Sequence, residues 1–161
     1  MSTEQAKVLP SGLARRLVRD SLLTEQQAQT AYIEAARRRQ PLIQYLVSEK
    51  VLDSRSIAVA ASQEFGVPLL DLDALDRQTM PFTLVDEKLI RKHRVLPIHK
   101  RGNRLFLAVS DPTNDRALEE IRFNTGMATD AILVEETKLA AAIDQAIDAQ
   151  DTTMTDLMDT D

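Results

Sequence analysis

Leu13-Ala14-Arg15-Arg16-Leu17-Val18-Arg19-Asp20-Ser21-Leu22-Leu23 recurs, in its apolar letters, as Leu42-Ile43-Gln44-Tyr45-Leu46-Val47-Ser48-Glu49-Lys50-Val51-Leu52. The offset is 29 residues throughout, and it continues downstream: Ile57 answers Ala28, and Ala60 answers Ala31. A repeat of this size is the signature of one supersecondary unit stacked on its copy. The unit reads as a helical hairpin, because the apolar letters sit at helical spacing with little Gly or Pro among them. Tyr32 and Ile33 fall within the same helical pattern.

The polar letters agree with this reading. Ser11 suits a cap for the first helix, and Ser21 to Leu23 form the turn out of it. Thr24-Glu25-Gln26-Gln27 has the form of a capping box: the Thr24 hydroxyl accepts from the amide of Gln27, whose side chain reaches back. In the second copy Asp53 takes the Thr24 position, and Asp is also a good N-cap. Arg37-Arg38-Arg39-Gln40-Pro41 ends the second helix with charge that favours a helix C-terminus, and Pro41 opens the third. The period changes at Phe65-Gly66-Val67-Pro68. Leu69, Leu70 and Leu72 fit a short strand, and Asp71 to Pro81 is an acidic, turn-rich stretch. A helix follows over 86–94. Val95 to Lys100 and Arg104 to Ser110 form a hairpin around a Gly-containing turn. Both faces of the second hairpin strand are apolar, as in a strand buried on both sides. A helix through about Asn124 stops at Gly126, a strand covers 131–134, and a last helix covers 137–149. The expected fold is α+β. It has a flexible start over 1–10, a repeat of about four helices over 11–64, a small α/β part of order β-α-β-β-α-β-α over 65–150, and an acidic linker over 151–161.

Composition narrows the function. The chain has 161 residues, a net charge of −5 and no Cys. The acidic balance argues against nucleic acid as a partner. Without Cys there are no disulfides, thiolate chemistry or Cys-held zinc, which suits a reducing cytosol. There is no signal-peptide pattern and no apolar run near the ~20 residues of a membrane helix, so the sequence predicts a cytoplasmic, non-spanning protein. The four glycines are scattered, and no Gly-Lys-Ser/Thr occurs, so this segment lacks the phosphate-cradling loop of a nucleotide hydrolase. His93 and His99 have cationic neighbours, which oppose a metal ion. Asp71 with Asp73, and Ser110 with Asp111, read as turn chemistry rather than catalysis. No catalytic or metal-binding residues are assigned. One cluster stands out: Arg15, Arg16 and Arg19 with Arg37, Arg38 and Arg39. Guanidinium groups bind phosphate and carboxylate in forked pairs. The cluster therefore fits either an anionic ligand or acidic partner, or a solvated face whose charges complement helix ends.

Four stretches carry a family resemblance: Phe65-Gly66-Val67-Pro68-Leu69-Leu70-Asp71-Leu72, Leu96-Pro97-Ile98, Leu105 through Asn114, and Ile121-Arg122-Phe123-Asn124-Thr125-Gly126. Together with the repeat, they resemble the N-terminal region of the type IV pilus extension ATPases, the PilB group of the secretion and pilus ATPases. The resemblance covers about Leu13 to Ala149. It implies a motor core beyond Asp161, where ATP and Mg would be used, and it implies no cofactor or enzymatic activity in this segment. Some relatives bind cyclic di-GMP through an MshE-type repeat. Each copy there has an Arg-Leu-Gly start, a second Gly before the apolar pair, and a late Gln. In this chain the Arg positions hold Gly12 and Pro41, the first Gly positions Ala14 and Ile43, the second Ser21 and Lys50, and the Gln positions Ala35 and Glu64. The apolar frame is kept and the polar set is replaced. The resemblance then implies a protein-docking role. A PilZ-type adaptor, linked to a separate cyclic di-GMP receptor, would dock on the helical repeat, with Arg15, Arg16, Arg19, Arg37 and Arg38 as candidate contacts. The location would be peripheral to the inner membrane, through the pilus machine. Two alternatives stand beside it: direct cyclic di-GMP binding, and mechanical docking to the inner-membrane pilus platform.

Overall fold

Thr24 and Asp53, 29 residues apart, start corresponding helices in the computed structural model of the chain, which describes residues 12–159 and side chains as far as residue 149. The expected start over 1–10, the Ser11 cap and the last two residues lie outside that range. The chain divides into two units, at Pro68 and Leu69. The first holds α1 (Gly12–Arg19), α2 (Glu25–Arg37), α3 (Leu42–Ser48) and α4 (Ser54–Phe65). The capping box forms: the Gln27 amide donates to Thr24 Oγ1 at 3.1 Å, and the Thr24 amide donates to Gln27 Oε1 at 2.9 Å. Asp53 accepts from the Ser56 amide at 3.1 Å and from its hydroxyl at 2.7 Å. Replacing Asp53 by Ala would remove both bonds.

α1 packs on α4, and α2 on α3. Exchanging the two copies turns one contact into the other, as a local twofold relation requires. Leu13, Leu17, Leu46 and Ile57 fill the core, and Ala28, Ala31, Ala35, Ala60 and Ala61 let the helices approach closely. The turns after α1 and α3 also match bond for bond. The amides of Leu22 and Val51 donate to the carbonyls of Leu17 and Leu46, both at 2.9 Å, and those of Ser21 and Lys50 to Val18 and Val47 at 3.0 and 3.1 Å. Ser21 (φ 61°) and Lys50 (φ 56°) are both left-handed. This is where glycine is least strained. Ser21→Gly and Lys50→Gly should each stabilise the unit by about 0.5–1 kcal/mol, the relief of strain being partly offset by the freer unfolded chain. A lower urea midpoint in either variant would contradict this.

In the second unit, α5 (Glu87–His93) leads into β1 (Leu96–Arg101) and β2 (Arg104–Val109), then α6 (Asp115–Thr125), β3 (Ala128–Leu133) and α7 (Glu136–Asp159). The sheet order is β1-β2-β3. β1 and β2 are antiparallel, and β2 and β3 are parallel, with α6 as the crossover. β2 is central, which explains why Leu105, Leu107, Ala108 and Val109 are all buried.

Two expectations need correction. The strand expected at Leu69 to Leu72 is a single bridge, Leu69 to Leu133. Past Leu70 the chain turns through three short 3₁₀ helices, Leu72–Ala74, Arg77–Thr79 and Phe82–Leu84. Asp71 accepts from the Asp73 amide and Asp76 from the Gln78 amide, both at 3.0 Å. These local bonds satisfy amides that a strand would have offered to the sheet. The second correction is to the acidic stretch. The last helix, expected over 137–149, runs from Glu136 to Asp159 and so takes in most of the acidic stretch. The apolar period of Leu139, Ala142, Ile143, Ala146 and Ile147 continues in the sequence through Met154, Leu157 and Met158, with no Gly or Pro to stop it.

Among the described residues, two carboxylates are buried in this unit, Glu135 and Glu136. Glu136 is 5% exposed; it accepts from the Ser110 hydroxyl at 2.7 Å and pairs with the Arg94 guanidinium. It thereby ties the start of α7 to the ends of β2 and α5.

Candidate functional site

The copy symmetry of the first unit reaches its surface. Two shallow grooves, of about 310 and 490 Å³, lie at corresponding places. Leu22, Asp53, Arg55, Ser56, Val59 and Ala60 line the first; Val51, Thr24, Gln26, Gln27, Thr30 and Ala31 line the second, each 29 residues from its counterpart. The chemistry differs between them. Asp20, Asp53 and Arg55 put charge on the first, whereas the second is lined by hydroxyls and amides. Asp53 is held below the usual carboxylate range, chiefly by the Ser56 hydroxyl and then by its amide.

Two of the candidate arginines, Arg16 and Arg19, share Glu64 as a partner, at 4.0 and 3.9 Å. Arg16 donates to Asp20 at 3.1 Å and to Gln63 at 3.0 Å, and Arg19 lies 3.9 Å from Glu64. Arg37 pairs with Glu34 at 2.5 Å. Arg38 pairs with Glu49 at 3.0 Å and lies 5.2 Å from the centre of the Tyr45 ring. Arg15 is exposed on α1. Arg16 and Arg19 thus face acids at the end of α1 and on α4, whereas Arg37 is matched within α2 and Arg38 across to the end of α3. Glu34 is held below its ordinary range, first by the hydrogen bond from Arg37.

Of the four positions where the motif has Gly, Ala14 and Ile43 are buried, while Ser21 and Lys50 are exposed in the left-handed turns. A Cβ on Gly12 would meet Glu64 Oε2 at 3.1 Å, so the positions that the resemblance assigns to Arg and Gln are neighbours in space. Here that place holds the Glu64 carboxylate with cations about it: the same Cβ would lie 3.8 Å from Arg15 Nη2, and Arg16 and Arg19 lie 4.0 and 3.9 Å from Glu64.

The exposed apolar side chains were not legible from the repeat. Ile33 is 61% and Tyr32 38% exposed, although both fit the helical pattern. The buried face of α2 is made of Ala28, Ala31 and Ala35, which turns these larger neighbours outward. Leu22, Val51 and Val59 are also exposed, at the two grooves.

The other candidate groups have structural partners. Asp71 and Asp73 both pair with Lys138, at 2.8 and 3.3 Å. Ser110 serves Glu136, and Asp111 accepts from the Thr113 amide at 2.9 Å. His93 bonds Glu120 at 2.8 Å, and the His99 ring lies 5.8 Å from that of Phe106. Among the described residues, no three His, Cys, Asp or Glu converge as metal ligands, and no helix is long and apolar enough to cross a membrane.

Glu34, Asp53 and Glu120 are all shifted below their ordinary values, Glu120 chiefly by His93. A carboxylate lowered in the folded state contributes stability above its unfolded pKa and loses it as pH falls through the folded value. Stability should therefore decline from about pH 5 toward pH 3, measured as the urea midpoint. A midpoint flat across that window would contradict the pairing.

The MshEN domain family matches residues 65–153, more than half of the chain. The chain belongs to the MshEN domain family. Over 94% of its length this MshEN chain is 40% identical to the type IV pilus assembly ATPase PilB of Pseudomonas aeruginosa, covering 27% of that protein. It is also 40% identical to the PilB of Acinetobacter baylyi over 80% of its length, covering 22% of that protein. The chain thus spans about a quarter of the curated relatives it matches. Its fold is similar to that of MshE, in a structure described as MshE with cdg (TM-score 0.61, 24% identity, 83% of this chain and 97% of that one). It is also similar to the N-terminal domain of XpsE (TM-score 0.63, 20% identity, 89% and 97%). As an MshEN domain without a Gly-Lys-Ser/Thr loop, this segment is not the catalytic part of such an ATPase.

Proposed function

We propose that this MshEN domain is the regulatory N-terminal part of a type IV pilus assembly ATPase, and that its helical unit docks a PilZ-type adaptor which connects pilus extension, and so twitching motility, to a cyclic di-GMP receptor. The location that goes with this role is cytoplasmic, at the inner-membrane pilus machine. One observation carries the docking reading: Leu22, Tyr32, Ile33, Val51 and Val59 are large apolar side chains left exposed on a unit whose core is already filled. Exposed apolar side chains of this size suit protein contacts. The ion-paired arginines of the same unit suit a polar rim, where charges set specificity more than affinity.

The likeness to MshE with cdg favours a second reading, direct cyclic di-GMP binding. The replaced polar set speaks against it: Gly12, Pro41, Ala14 and Ile43 stand where the resemblance puts Arg and Gly, and the nearby guanidinium groups of Arg16 and Arg19 already face Glu64. Isothermal titration separates the two. The adaptor should bind at tens of micromolar or tighter, and cyclic di-GMP should give no heat at micromolar concentrations. Micromolar nucleotide binding, or no adaptor complex, would reverse the choice.

A further inference from the structure

Phe123 is 89% exposed, the most exposed large apolar side chain among the described residues. It lies in the last turn of α6, within a stretch that the helical unit's role does not use. Gly126 ends that helix, and the Ala128 amide donates to the Asn103 carbonyl at 3.0 Å. The end of α6 is thereby fastened to the β1–β2 hairpin tip, Lys100-Arg101-Gly102-Asn103-Arg104. Arg104 is neutralised by Asp130. Lys100 and Arg101 are exposed and make no ion pair among the described residues. The topology therefore brings an exposed aromatic ring and two cations without ion pairs to one end of the sheet, in a chain of net charge −5.

α7 heads toward the same end. It starts where Glu136 meets Ser110, at the far end of β2, and packs back along β1 and β2. Its 24 residues measure about 36 Å, against about 20 Å for a six-residue strand, so the helix is longer than the sheet it packs on. The curated relatives are about three and a half times as long as this chain.

We infer that this end of the second unit, with Phe123, Lys100 and Arg101, is the surface on which the following motor core of the longer ATPase seats. The motor face would offer an apolar pocket for the ring and carboxylates for the cations. The inference rests on the reading of the parent protein as a pilus ATPase. An acidic chain with two free cations is poorly suited to an anionic lipid surface, where each cation adds little.

The test uses the full-length parent protein, with Phe123→Ser and Lys100→Glu/Arg101→Glu as variants. Limited proteolysis after Asp159 should run about tenfold faster in both, and ATP turnover should change. Circular dichroism and adaptor affinity should not. Turnover and cleavage rates equal to the wild type would overturn the seating and leave the proposed function standing. A wild type without any ATP turnover would remove both. Vesicles of phosphatidylethanolamine and phosphatidylglycerol form a separate arm. Co-sedimentation lost in Phe123→Ser, with cleavage rates unchanged, would make the surface a lipid contact and end the proposal.

Discussion

Arg94→Ala should cost the second unit about 3 kcal/mol, the low end for breaking a buried pair, because Arg94 itself is 30% exposed. The loss comes from the partner left behind. Glu136 is 5% exposed, and without the guanidinium it keeps only the Ser110 hydroxyl. A buried carboxylate in that position must protonate or draw in water. Arg94 also closes α5 in the left-handed conformation at φ 53°, and alanine there relieves no strain. The measurement is urea unfolding followed by circular dichroism at neutral pH. A second variant separates charge from packing. Arg94→Met with Glu136→Leu removes both charges and should recover most of the loss, since apolar residues often replace buried pairs without penalty. A single variant as stable as the wild type would mean that Glu136 is hydrated and the pair contributes nothing.

Ile33→Asp should reduce adaptor affinity by about thirtyfold or more, as loss of a central apolar anchor does at protein interfaces. Ile33 is 61% exposed, so aspartate there leaves the core of the helical unit intact and the thermal midpoint nearly unchanged. Tyr32→Ala should act in the same direction. Charge reversal at Arg37 should mainly slow association and alter its salt dependence, because Arg37 is already paired with Glu34 in solvent. Titration calorimetry of the folded variants decides the matter. Full affinity in both Ile33→Asp and Tyr32→Ala would move the docking surface off α2.

The 29-residue repeat, the capping box at Thr24, the Asp53 cap and the hairpin around Gly102 could be read directly, because each rests on local chemistry spelled out by neighbouring letters. Leu69 to Leu72 reads equally well as a strand. It fails as one because Asp71 and Asp76 supply turn bonds that a period-two pattern does not register. The acidic letters after Gln150 obscured a helical period of Met and Leu that runs beneath them. Exposure was the hardest property to read. Tyr32 and Ile33 have helical spacing and large apolar side chains, but the face of α2 that packs is chosen by its alanines. The arginine cluster was visible as composition. Its division between two sets of carboxylates depends on which helices pair, and spacing along the chain does not specify that.

α7 is continuous from Glu136 to Asp159, with Leu139, Ala142, Ile143, Ala146 and Ile147 gripped by the core. Beyond the last of these, about 18 Å of helix remains. A gripped helix carries displacement along its axis. A tilt of about 10° in the gripped half corresponds to about 3 Å at the far end, and a rotation about the helix axis would reach the far end almost undiminished, since hydrogen-bonded turns resist unwinding. The same connection works in reverse, so a displacement imposed on the far end would be felt in the packing of Ile143 and Ile147.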